Sequence, residues 1–139
     1  MATNPFVGSW TYRSLLNNPD GSVPFDQLEF GRGTITITEA PDEILLGTIG
    51  GLSWSLKLRG SRGYGSPMQV RFQGKGTVGG ADWVYDYIGW LVPAWPNSTG
   101  DQDRAAIVGS VVRTIPHPAT NGGTAPAGAT ASFYAVRTD

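Results

Sequence analysis

Along most of the chain, apolar and polar side chains take turns in short runs. Thr34-Ile35-Thr36-Ile37-Thr38 alternates strictly. Leu52, Trp54, Leu56 and Leu58 share one parity, with Ser53, Ser55, Lys57 and Arg59 on the other. Met68, Val70 and Phe72 alternate in the same way with Gln69, Arg71 and Gln73. A period of two marks an extended strand with one dry face and one wet face, because successive side chains point to opposite sides. The same reading predicts eight strands, at roughly 8–16, 33–39, 43–49, 52–60, 68–76, 82–92, 104–115 and 129–138. Turn chemistry separates them: Ala40-Pro41-Asp42, Gly50-Gly51, the glycine-rich 60–67 and 76–81, Pro93 to Gly100, and the Pro/Gly stretch 116–128. The longer segment 17–32 reads as a short helix or an Ω-like loop.

Eight short strands with hairpin connections and no crossover helix predict an all-β fold, an eight-stranded antiparallel up-and-down β-barrel. Closure of a barrel removes exposed strand edges. A β-sandwich is the alternative. At 139 residues the chain, 1–139, is expected to be a single β-barrel domain.

The last three strands depart from one-sided patterning. In 82–92, Trp83, Tyr85, Tyr87, Gly89 and Leu91 oppose Val84, Asp86, Ile88 and Trp90. In 104–115, Ile107, Gly109 and Val111 oppose Val108, Ser110 and Val112; in 129–138, Phe133 and Ala135 oppose Tyr134 and Val136. A barrel wall that is apolar on both faces needs a partner outside, so strands 82–92, 104–115 and 129–138 predict a homodimer or higher homo-oligomer.

Composition narrows the function. Ten basic and eleven acidic residues, dispersed, give a formal charge of −1, which argues against nucleic acid or an anionic membrane as partner. The chain has no cysteine and a single histidine, His117, so thiol chemistry is excluded and neither a metal site nor a cofactor is expected. The N-terminal MATNPFVGSW lacks the basic-then-apolar plan of an export signal, and no apolar run reaches membrane-spanning length; the expected location is cytoplasmic. The sequon Asn97-Ser98-Thr99 is read as chance, and Asp101-Gln102-Asp103 as a solvated turn.

The N-terminal Asn4-Pro5-Phe6-Val7-Gly8-Ser9-Trp10 resembles the G-x-W entrance strand of the calycin superfamily, which includes lipocalins, fatty-acid-binding proteins and avidins. The resemblance implies that Gly8 and Trp10 close one end of a barrel, with a basic residue of the last strand across the indole. Arg137 stands at that position, with Arg113 second. The order of strands from Gly33 to Lys75 looks more avidin-like than lipocalin-like. The segment Thr11-Tyr12-Arg13-Ser14 departs from the Asn and Ser that contact biotin in avidins, so the resemblance carries the barrel and not the ligand. His117, between Pro116 and Pro118, is likewise a poor match to the late histidine of haem-binding members.

Two site readings follow for the aromatic run Trp83 to Trp95. If Asp86 faces inward, its carboxylate lies among aromatic rings, and desolvation would suit it to acid/base work. If Trp83, Tyr85 and Tyr87 face inward, the interior is lined by flat rings carrying phenol hydroxyls that can donate a proton or hold an enolate oxygen. The candidate catalytic groups are therefore Asp86, Tyr85, Tyr87 and His117. The candidate ligand-binding residues are Trp10, Tyr12, Trp54, Phe72, Trp83, Tyr85, Tyr87, Trp90, Arg113 and Phe133. The leading expectation is an oligomeric β-barrel binding a small apolar or aromatic molecule in its central cavity. A cofactor-independent isomerase or cyclase in the same barrel is one alternative, and a structural subunit with a filled barrel is the other.

Overall fold

A computed structural model of the chain describes residues 4–94 and 104–139. Eight strands form the wall: β1 (Gly8–Leu15), β2 (Glu29–Glu39), β3 (Ile44–Gly50), β4 (Ser55–Gly63), β5 (Gln69–Val78), β6 (Ala81–Val92), β7 (Ala106–Arg113) and, after a small hairpin, β10 (Thr130–Val136). The hairpin consists of β8 (His117–Pro118) and β9 (Thr124–Ala125). Each wall strand pairs antiparallel with its neighbours in sequence, and β10 closes on β1. The result is the expected closed up-and-down barrel, and the sandwich alternative falls away. Trp95, the Asn97 sequon and Asp101/Asp103 lie outside the described residues. Among the described residues, no helix is long and apolar enough to cross a membrane.

Alternation decides what fills the barrel. Ile35, Ile37, Leu45, Ile49, Leu56, Leu58, Val70 and Phe72 are buried while their sequence neighbours are exposed or half-buried. On the opposite side of the wall the inward residues are larger, and glycines make room for them. A Cβ on Gly74 would press on Tyr87 and Leu58, and one on Gly89 would lie 2.7 Å from Ile107 Cγ2 and 3.1 Å from Phe133 Cζ. Alternating large and small inward residues is how a barrel this size packs its interior.

One end is plugged. Trp10 is fully buried, and its indole N–H donates to the Phe6 carbonyl at 3.1 Å. The Arg137 guanidinium lies 4.4 Å above the ring and donates to the carbonyls of Val7 (2.9 Å) and Pro5. A cation over an indole face gains both dispersion and electrostatic attraction. Gly8 sits at φ +141°, and a Cβ there would collide with Arg137 Nη1, so glycine is required twice over. Asn4 completes the plug, accepting from Phe6 N–H at 3.1 Å and donating to Glu39 at 3.0 Å. At the β1–β10 seam, Thr138 N–H donates to Ser9 O at 2.9 Å.

Three differences from the sequence reading concern loops. β2 begins at Glu29, because the 17–32 segment holds only a 3-10 turn at Phe25–Leu28 before rejoining the wall. Leu52 is fully exposed in a turn, and β4 starts at Ser55. The Pro/Gly stretch 116–128 is not a plain loop, since β8 and β9 pair within it.

Candidate functional site

The open end of the barrel carries a cavity of about 370 Å³. Tyr12 and Ser14 reach it from β1, Phe30 and Gly31 from β2, Trp54 from the β3–β4 turn, Trp83, Tyr85 and Tyr87 from β6, and Arg113 from β7. The β8–β9 hairpin folds over this mouth and adds His117, Pro118 and Ala125.

Alternation on β6 places Trp83, Tyr85 and Tyr87 on the inner side and Asp86 and Trp90 on the outer side. Tyr85 and Tyr87 are buried, whereas Asp86 is exposed. The Asp86 carboxylate accepts from Gln73 Nε2 at 3.0 Å and from Thr114 Oγ1 at 2.7 Å, both on the barrel's outside. The condition for its catalytic reading, an inward orientation, is not met. Trp90 is 37% exposed and does not line the cavity. Trp10 belongs to the plugged end, and Phe72 packs in the wall below the mouth. Tyr12 and Tyr87 floor the cavity, and Phe133, which does not itself line it, backs both rings at 5.7 Å and 6.0 Å.

At the rim, four side chains join into one group. Arg113 Nε donates to Tyr85 Oη at 2.9 Å, and Tyr85 Oη lies 2.7 Å from His117 Nε2. His117 Nδ1 lies 2.9 Å from the Pro118 carbonyl. A carbonyl only accepts, so Nδ1 carries a proton, and in the neutral imidazole Nε2 is left to accept the Tyr85 hydroxyl proton. The imidazole also stacks on Trp83, with centroids 4.1 Å apart and planes within 12°. Arg113 Nη1 donates to Pro126 O at 3.1 Å, and the guanidinium lies 5.0 Å from the Phe30 ring. All four of these residues line the mouth cavity, away from the plugged end. The arrangement can orient a ligand's polar edge while the rings hold its faces.

Phe30 and the hairpin escaped the sequence reading. Ser14 pairs with Gly31 and Leu15 with Glu29, so Phe30 is the extra residue of a β-bulge. A bulge re-aims one side chain against the strand's parity, which simple alternation cannot foresee. The signal for the hairpin is the run Pro116-His117-Pro118 followed by Asn121-Gly122-Gly123, a turn sequence between two short extended pieces.

Two phenols lie deep in the site. Burial pushes the Tyr12 hydroxyl well above the ordinary tyrosine range, and burial does the same for Tyr87, helped by nearby Tyr12 and Tyr85. Both are therefore neutral donors at any physiological pH. A folded-state value above the unfolded one stabilises the fold fully below about pH 10 and is lost as pH rises beyond it. Titration at 295 nm is expected to show that at least two of the five tyrosines ionise only together with alkaline unfolding seen by circular dichroism. Five independent ionisations in the folded protein would contradict the burial of Tyr12 and Tyr87.

Among the described residues no group of three or more His, Cys, Asp or Glu side chains could hold a metal ion. No protein-family model, curated protein or solved structure matches the chain.

Proposed function

We propose that the barrel binds a small, mainly apolar or aromatic molecule in its mouth cavity, oriented by the Arg113–Tyr85–His117 group. The observation that carries this reading is the cavity itself: about 370 Å³, walled by Trp54, Trp83, Tyr85, Tyr87 and Phe30, with polar edges converging on one side. Natural ligand pockets have this makeup and begin near this size, roughly 300 Å³. The calycin-like plug of Gly8, Trp10 and Arg137 supports a barrel closed at one end and open at the other. The single histidine makes a test direct, because its ring resonance is unique. Compounds that shift the His117 resonance are expected to lose about tenfold in affinity in Trp83→Leu, through loss of ring stacking. Trp90→Leu, on the outer face, is expected to leave affinity unchanged. The opposite pattern would remove the cavity as the site.

A second reading, a cofactor-independent isomerase or cyclase, draws on one contact, the 2.7 Å approach of Tyr85 to His117. Transfer of the phenol proton to His117 would leave a tyrosinate held by Arg113 and able to act as a base. For this reading Tyr85→Phe abolishes turnover and keeps binding. Loss of both in equal measure would favour the binder.

The outer face of β6, β7 and β10 exposes Trp90, Val92, Val108 and Tyr134, and we propose a second copy of the chain as its partner. Val108→Glu is expected to convert the assembly to monomers in sedimentation without changing the far-ultraviolet spectrum. A wild-type monomer at high concentration would overturn the proposal.

A further inference from the structure

The mouth cavity carries one formal charge, and its sign narrows the ligand class; the inference rests on the binding reading above. Arg113 is the only charged side chain among the described lining residues, and none is Asp or Glu. Its two protein acceptors, Tyr85 Oη and Pro126 O, are both neutral. Like the exposed Arg59 and Arg71, Arg113 forms no ion pair with any described residue, but it alone of these three is half-buried and lines the mouth cavity. Its Nη2 has no acceptor among the described residues. A guanidinium without a counter-ion beside aromatic walls favours an anion, since charge-assisted hydrogen bonds strengthen where water is scarce.

The neighbouring hydroxyl supports the same sign. Tyr85 has one proton, and it goes to His117 Nε2, because Nδ1–H is already given to Pro118 O. Within the Arg113–Tyr85–His117 group, the donors left for a ligand therefore belong to Arg113, the one charged donor of the lining. A ligand that brings an anionic oxygen is matched; one that brings a cation meets a like charge.

The floor limits length. Tyr12, Tyr87 and Phe133 lie within 6.1 Å of one another, centroid to centroid, and block the barrel below the mouth. A space of about 370 Å³ holds about twelve water-sized groups at roughly 30 Å³ each. An acyl chain much longer than about a dozen heavy atoms has nowhere to thread, and a flexible chain within that size lacks a flat face to lay on the rings.

We propose that the ligand is a compact planar anion, one or two rings bearing a carboxylate or enolate oxygen, with that oxygen on Arg113 and the ring against the aromatic wall of Trp54, Trp83 and Phe30. The test compares 2-naphthoate, its uncharged amide 2-naphthamide, and decanoate, by calorimetry at low salt and by the His117 resonance. Expected is a His117 shift with naphthoate and affinity at least tenfold above that of the amide, with decanoate weaker than naphthoate. Arg113→Gln is expected to equalise naphthoate and naphthamide, and Arg113→Lys to retain part of the preference. Equal binding of acid and amide by the wild type overturns the charge assignment and leaves the cavity reading standing. Decanoate as tight as naphthoate overturns the planar class. A naphthoate preference that survives in folded Arg113→Gln places the anion elsewhere and overturns the proposal. No His117 shift with either ring compound removes both the anion inference and the cavity reading. The wild-type comparison decides the sign of charge even if the glutamine variant does not fold.

Discussion

Trp10→Ala is expected to lower the unfolding free energy by about 3–5 kcal/mol. The indole is completely buried, and its removal leaves a hole at the one place where the barrel is plugged. The cost goes beyond lost contact. The Phe6 carbonyl loses its donor, and Arg137 loses the ring beneath it. An unsatisfied buried carbonyl alone costs about 1–3 kcal/mol. Arg137 then has only backbone acceptors and Asp139 at 3.3 Å, a partly exposed contact of small worth. Trp10→Phe, which refills much of the volume, is expected to recover more than half of the loss. Urea denaturation followed by far-ultraviolet circular dichroism measures both. A loss below about 1 kcal/mol in the alanine variant would mean that the plug does not hold the end closed.

Phe133→Ala is expected to cost a similar amount, about 3–5 kcal/mol, but at the boundary between core and cavity. Its ring packs on Tyr12 and Tyr87 and lies against Gly89. Its cross-strand partners are Gly109 on β7 and Ser14 on β1, and its same-face neighbours on β10 are Ala131 and Ala135. None of these small residues has a side chain that can swing into the space. Only larger neighbours such as Tyr12 and Tyr87 are left to relax toward the space, which puts the cost toward the upper end. The same truncation deepens the mouth cavity, so the variant is expected to admit elongated apolar ligands that the wild type refuses. Denaturation and ligand titration read the two effects separately. A destabilised variant with unchanged length selectivity would show that the floor lies elsewhere.

The wall was legible in the chain because inside and outside differ in chemistry at every second residue. Ile35 and Ile37 among threonines, or Leu56 and Leu58 beside Lys57 and Arg59, leave one way for each strand to face. On β6 both parities are apolar or aromatic, so periodicity alone left Asp86 undecided. What resolves it is register: Tyr85 opposes Arg113 and Gly74, and Asp86 opposes Val112 and Gln73. The glycines had to sit inside, where Tyr87 and Phe133 need their space. The rim group was the least legible part. Arg113, Tyr85 and His117 each stand out singly in the sequence, but their meeting depends on a hairpin of two-residue strands returning over the mouth, and such short pairings leave almost no pattern. Phe30 was hidden for a different reason, since a bulge breaks the very rule used to read the strand.

The seam where β10 meets β1 has a practical consequence. With eight wall strands, the chain comes back to the end from which it set out, so Ser9 and Thr138 are hydrogen-bonded neighbours beside the Trp10 plug. Anything attached through this end, whether a bead, a reporter or a second polypeptide, meets the barrel on the side away from His117. A molecule anchored there presents its mouth outward to the solution, a favourable orientation for a sensor whose signal comes from Trp83.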